Sequence, residues 1–165
     1  MNPFEFFIPQ NIIVGAGTLV RLPECAQKLG GTHAMLLSGP TLRKMGIVDK
    51  AAKYLEDAGM KVDIFTEIEA NPSVTTVEKA TTAFKEAGAD FIVALGGGSP
   101  MDVAKAVGVT AKHGGSITEY EGAHKVPGKI IPLIAIPTTA GTGSEVTAFS
   151  VITDHSRDYK LTVFS

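Results

Sequence analysis

Cysteine is nearly missing from this chain: Cys25 is the only one in 165 residues. No internal disulfide framework can form, and the composition fits a reducing compartment. An excess of positive charge is missing too. Fifteen Lys and Arg stand against seventeen Asp and Glu, a formal net charge of −2. With no basic stripe, a nucleic-acid backbone is not an expected partner. Long apolar runs are also lacking, and the longest, around 130–136, is too short to span a bilayer. The opening Met1-Asn2-Pro3-Phe4-Glu5 has no basic segment of the signal-peptide kind. A cytoplasmic protein with no membrane partner is the expectation. Low-complexity linkers, charge runs and repeats do not occur. The four histidines, His33, His113, His124 and His155, show no metal-ligand spacing. Lys105 and Lys160 read as solvated lysines, and no residue stands out as a general acid or base. No catalytic residue and no metal ligand is therefore expected within the chain.

What is present is enough apolar residue, 44% of the chain, to bury a core of one domain. Apolar runs at 34–38, 62–68, 91–95 and 130–136 predict strands. Their continuous rather than alternating hydrophobicity suits a parallel sheet covered on both faces. Between them lie helical stripes: Ile47, Val48, Ala51, Ala52 and Leu55, then Val74, Val77, Ala80, Phe84 and Ala87. Gly59 and Gly88 fall where left-handed C-caps are expected. Residues 4–14 predict an edge strand or hairpin, 18–29 a short helix, and 149–153 with 159–164 two further strands. The fold class is α/β, an open, mostly parallel sheet with helices on both faces. Ligands of such sheets sit at the carboxyl ends of the strands. The chain stops after a strand with no closing helix, which suggests a piece of a longer protein.

The segment 91–105 carries the strongest functional signal. A strand stops at Gly96-Gly97-Gly98, and Ser99-Pro100-Met101-Asp102 opens a helix. Glycine lets a ligand approach the backbone, and the free N–H groups and dipole of a helix start favour an anion such as a diphosphate. The turn is neither the usual dinucleotide fingerprint, since the sixth position from Gly96 is Met101, nor a P-loop. Ser99 and Asp102 match a capping box with Pro100 at the first helical position. Asp102 is thus either a cap or a ligand contact, and as a contact it suits a hydroxyl or amide better than a phosphate. A second segment, Pro137-Thr138-Thr139-Ala140-Gly141-Thr142-Gly143-Ser144-Glu145, also follows a buried strand and should reach the same sheet edge. Asn71-Pro72-Ser73 belongs to that edge as well, with Asn71 either a ligand contact or a turn former.

These segments, with Lys105, 7–17 and Val151-Ile152-Thr153-Asp154, resemble the iron-containing (group III) alcohol dehydrogenases over essentially all 165 residues, in order. The resemblance implies the N-terminal, dehydroquinate synthase-like Rossmann-type domain of a two-domain enzyme. It would interconvert a primary alcohol or diol and its aldehyde, with NAD or NADP as the hydride carrier and as a homo-oligomer at full length. The family's Fe2+ or Zn2+ is held by one Asp and three His of a helical C-terminal domain, all beyond the position of Ser165. By the same resemblance Gly97, Gly98 and Ser99 would hold the diphosphate with Asp102 close by. Thr138, Thr139 and Thr142 would line the adenosine and diphosphate region, and Asn71, Val151 and Lys160 match further cofactor contacts. Many NAD-using members carry Asp at the end of the first crossover strand. Gly39 stands there in this chain, so NADP is expected to be tolerated. A glycerol dehydrogenase or dehydroquinate synthase relative is the second enzyme reading, disfavoured by the 138–145 motif. A non-catalytic nucleotide-binding module is the third.

Overall fold

The computed structural model describes residues 10–164. Its strands are β1 (His33–Ser38), β2 (Lys61–Phe65), β3 (Phe91–Gly96), β4 (Gly122–Ala123), β5 (Leu133–Pro137), β6 (Phe149–Asp154) and β7 (Tyr159–Phe164). The helices are α1 (Leu22–Lys28), α2 (Pro40–Lys44), α3 (Ile47–Asp57), α4 (Val74–Ala87) and α5 (Gly98–His113). Four strands form a parallel sheet in the order β2-β1-β3-β5.

Alternation along the two central strands divides the interior into two cores, because successive side chains point to opposite faces. Ala34, Leu36, Phe91, Val93 and Leu95 meet Leu22 and Ala26 of α1 and Val48, Ala51, Ala52 and Leu55 of α3. Met35, Leu37, Ile92 and Ala94 meet Val77, Ala80 and Phe84 of α4 and Met101, Ala104 and Val107 of α5. All six residues of β3 are buried. Burying one such side chain contributes about 1.5–3 kcal/mol, so this strand and its neighbour anchor the domain. Polar groups pin its register. The Asp90 carboxylate accepts from the Thr32 and His33 backbone N–H groups, each at 3.0 Å. At the other end, the buried Ser38 hydroxyl donates to Leu95 O at 2.7 Å.

Helices α3 and α4 follow the predicted stripes, with Gly59 and Gly88 at φ +84° and +70° just past their ends. Several boundaries differ from expectation. The 62–68 run pairs only as far as Phe65, and Ile68 is buried beyond the strand end. The 130–136 run pairs only from Leu133 to Pro137, while Ile130 and Ile131 pack on the core beside α5. The 18–29 helix divides into a 3-10 turn, Thr18–Arg21, and α1, with Pro23 in the tolerated first turn. Of the hairpin expected at 4–14, residues 4–9 lie outside the described residues, and 10–14 join no strand.

The second sheet, β4-β7-β6, is small; β6 and β7 form an antiparallel hairpin. Its Ile152, Leu161 and Val163 join the core shared by α4 and α5. In the main sheet the connections from β1 and from β3 leave on opposite faces. A crevice therefore opens where the carboxyl ends of β1 and β3 lie side by side, the usual ligand position on such sheets. Among the described residues, no helix is long and apolar enough to cross a membrane.

Candidate functional site

The glycine turn lies at that crevice. Helix α5 begins at Gly98, with Gly97 as its N-cap in extended conformation and no side-chain cap. The expected capping box is therefore absent. Ser99 and Pro100 are the second and third helical residues, and Asp102 is free for another task. Glycine at an N-cap loses only a few tenths of a kcal/mol against Ser or Asn, so nothing forces the helix to start later. The Gly98 and Ser99 N–H groups lack intrahelical acceptors at this end, and Pro100 has no N–H to leave unpaired.

The register Gly96↔Pro137 places the loop after β5 directly beside this turn. The Thr138 N–H donates to Gly96 O at 2.9 Å. A Cβ built on Gly97 would lie 3.2 Å from Thr139 Oγ1, and one on Gly98 would lie 3.7 Å from Thr142 Cβ. A side chain at position 97 would therefore crowd the second loop, and Thr139 would have to give by a few tenths of an ångström. Thr138, Thr139 and Thr142 are exposed along the rim.

A cavity of about 230 Å³ opens at the start of α5, lined by Asn71, Gly98, Ser99, Asp102, Val151 and Lys160, together with Pro72 and Thr153. Six residues singled out from the sequence thus share one hollow. Asn71 adopts a left-handed conformation, φ +54°, which Asn tolerates better than most residues. Its Oδ1 accepts from Lys160 Nζ at 2.7 Å. The turn is pinned from β6 by the Thr153 N–H, which donates to Pro72 O at 2.8 Å. Gly39 stands apart from this cavity, at the end of β1 and the start of α2. A Cβ there would make only an ordinary contact, 3.6 Å from Ile68 O.

Sequence reasoning missed the interaction that organises the cavity wall. Lys105 is not solvated: its side chain is 13% exposed. Its Nζ donates to Ser144 Oγ at 2.9 Å and to Phe149 O at 2.7 Å. The Ser144 hydroxyl donates to Asp102 Oδ1 at 2.7 Å, and Ser150 Oγ donates to Asp102 O at 2.8 Å. Burial pushes the Asp102 carboxyl above the usual carboxylate range, against the opposing pull of Ser144 and Lys105. Burial likewise pushes the Lys105 ammonium down, against Asp102 and Glu145. The i, i+3 spacing of Asp102 and Lys105 on one helix was the available signal.

Among the described residues, no group of three or more His, Cys, Asp or Glu is placed to hold a metal ion. The bare backbone at the start of the sixteen-residue α5 and Lys160 line the cavity, and the hydroxyl-bearing Thr138, Thr139 and Thr142 stand on the loop beside the glycine turn, donors of the kind a dinucleotide needs.

Sheet order, crossovers and a glycine turn at a helix start define a Rossmann-type α/β domain. The description "Iron-containing alcohol dehydrogenase" belongs to the family model that matches residues 9–165. This chain belongs to the iron-containing alcohol dehydrogenase family. It is 37% identical over 159 residues to the NAD-dependent methanol dehydrogenase of Bacillus methanolicus, covering 96% of this chain and 42% of that protein. It is 42% identical over 164 residues to the choline dehydrogenase of Bacillus subtilis, covering 97% and 41%. The solved structure of a 1,3-propanediol oxidoreductase superposes with a TM-score of 0.94 at 37% identity, over 99% of this chain and 43% of that one. The chain thus spans about two-fifths of the length of the curated relatives it matches.

Proposed function

We propose that this chain is the nicotinamide-dinucleotide-binding domain of an enzyme that interconverts a primary alcohol or diol and its aldehyde. One observation carries the reading: the glycine turn at the start of α5 and the threonine loop after β5 close on each other at the carboxyl edge of the parallel sheet. Gly97, Gly98 and Ser99 would receive the diphosphate on backbone N–H groups and the helix dipole. Thr138, Thr139 and Thr142 would offer hydroxyls to the diphosphate and adenosine. Asn71, Asp102, Val151 and Lys160 line the adjoining hollow and would orient the remaining sugar and base. Gly39, beside the crevice at the end of β1, brings no carboxylate against a 2′-phosphate, so both NAD and NADP are accommodated. When bound, the nicotinamide supplies the hydride acceptor or donor. By the family resemblance, Fe2+ or Zn2+ would be held by one Asp and three His beyond the position of Ser165 and would activate the alcohol oxygen as a Lewis acid.

The names of the methanol dehydrogenase and the propanediol oxidoreductase support the substrate class. Calorimetric titration of the 165-residue chain with NADH and NADPH tests the reading. Saturable one-site binding of either supports it, and no binding at millimolar ligand overturns it. The chain mixed with Fe2+ or Zn2+, a primary alcohol and NAD+ should form no NADH. Turnover there would place the whole catalytic site within these residues.

A further inference from the structure

We propose that Lys105 is a positioning residue: its ammonium fixes the Ser144 hydroxyl as a donor to Asp102, and so holds Asp102 as a hydrogen-bond acceptor toward the cavity. The cavity half of this inference rests on the nucleotide-binding reading above.

The direction of each bond follows from proton inventory. An ammonium has three donors and no acceptor. Lys105 Nζ spends one donor on Ser144 Oγ at 2.9 Å and one on Phe149 O at 2.7 Å. Ser144 must therefore accept from lysine, and its single proton points to Asp102 Oδ1, 2.7 Å away. The Val151 backbone N–H also favours the charged carboxylate. The chain of bonds runs one way, from ammonium to hydroxyl to carboxylate. Lys105 Nζ is 4.0 Å from Asp102 Oδ1, beyond hydrogen-bond reach, so its charge acts on the carboxylate directly while its hydrogen bond reaches Asp102 only through Ser144.

Two consequences follow. Asp102, which lines the cavity, meets a ligand as an acceptor, so whatever reaches it must bring a hydroxyl or amide N–H. A phosphate oxygen at that point would meet a like charge. Lys105 also ties α5 to both ends of the segment from Ser144 to Phe149. Ser144 in turn takes its backbone position from Thr142 Oγ1, which accepts the Ser144 N–H at 3.3 Å. A single ammonium thus sets the acid on one wall and the loop that faces Gly98.

The test is made on the 165-residue chain with ¹³C-labelled aspartate. The charged groups near Asp102 are Lys105 on its own helix, Glu145 in the loop and Lys160 across the cavity. Lys105→Met keeps the stem and removes the charge and the donors. The Asp102 carboxyl should then titrate higher by about one pH unit or more. Ser144→Ala, which breaks the relay with little loss of volume, should move it in the same direction, and Lys105→Arg should restore much of the parent behaviour. NADH affinity should fall about tenfold in Lys105→Met and Ser144→Ala, as expected for a lost hydrogen bond to a charged group. An unchanged Asp102 midpoint in folded Lys105→Met or Ser144→Ala overturns the inference, whatever the chain binds. If the midpoint rises in both but the parent does not bind NADH, the positioning of Asp102 stands and the nucleotide reading fails.

Discussion

Replacing Gly97 with Val separates the two demands placed on the glycine turn. The backbone at Gly97 is extended, φ −83° and ψ −157°, so a side chain brings no conformational strain. The cost is contact. The new Cβ would lie 3.2 Å from Thr139 Oγ1 and 3.7 Å from Thr139 Cβ. Because Thr139 is exposed on its loop, it can give by a few tenths of an ångström. Stability should fall by about 1 kcal/mol, the low end for added volume at a packed contact. Ligand binding should suffer more, because a branched side chain fills the gap between the two loops where diphosphate must meet backbone. We expect NADH affinity to drop by about tenfold or more, or about 1.4 kcal/mol. Calorimetry measures the affinity, and thermal unfolding measures the fold. Adding Thr139→Ala to Gly97→Val removes the nearest atom, so unfolding should return toward the parent value while affinity stays low. A folded Gly97→Val chain that binds NADH like the parent would remove the turn from the binding site.

Gly39→Asp should shift preference from NADPH toward NADH with no loss of stability, because its Cβ meets only Ile68 O at 3.6 Å. In the parent, the two affinities should agree within about tenfold. A hundredfold rejection of NADPH by the parent, left alone by Gly39→Asp, would exclude position 39 as the discriminator. Gly31→Ala should destabilise by about 1–3 kcal/mol in urea unfolding, since its Cβ would lie 2.4 Å from Cδ1 of the buried Phe91 ring. Combining it with Phe91→Leu should cost less than the two changes summed, and strict additivity would refute the contact. Asp154 accepts from Ser156 Oγ and from Arg157 Nε, both at 2.6 Å, and these bonds hold its carboxyl down at about 2. Its folded value lies below the unfolded value of about 3.9, so the unfolded chain takes up the proton first. The resulting stabilisation is complete above about pH 4 and fades as pH falls toward 2. Asp154→Asn should flatten the acid limb of a stability–pH curve in that window, and an unchanged limb would refute the assignment.

The central strands were legible because burial on both faces leaves continuous apolar runs, and α3 and α4 because burial on one face leaves a stripe. The ends of β2 and β5 were not, for a shared reason. Ile68, Ile130 and Ile131 are apolar to pack, not to pair, and hydropathy does not tell these apart. The start of α5 was misplaced because Ser99-Pro100-Met101-Asp102 has the form of a capping box, whereas the helix begins two residues earlier on glycine. Both glycine- and threonine-bearing loops could be assigned to one edge from their position after buried strands. Lys105 was read as solvated because its partner Ser144 lies 39 residues away and the i, i+3 spacing to Asp102 alone does not tell a buried pair from a surface one. Only folding shows that three polar side chains, at 102, 105 and 144, form one relay.

The place of β1 in the middle of the sheet has a consequence for synthesis. It is made early, yet one of its two neighbours comes late: Ser38 and Leu95 are 57 residues apart. At the ribosomal pace of about 5–20 residues per second, β1 waits about 3–11 seconds for β3. Its buried residues Ala34, Met35, Leu36 and Leu37 have only β2 to pair with during that interval. One strand edge and much of two apolar faces stay uncovered, an aggregation hazard for a nascent chain. Chaperone demand during translation should therefore centre on the segment from β1 to β3 and end when Gly96 has cleared the exit tunnel.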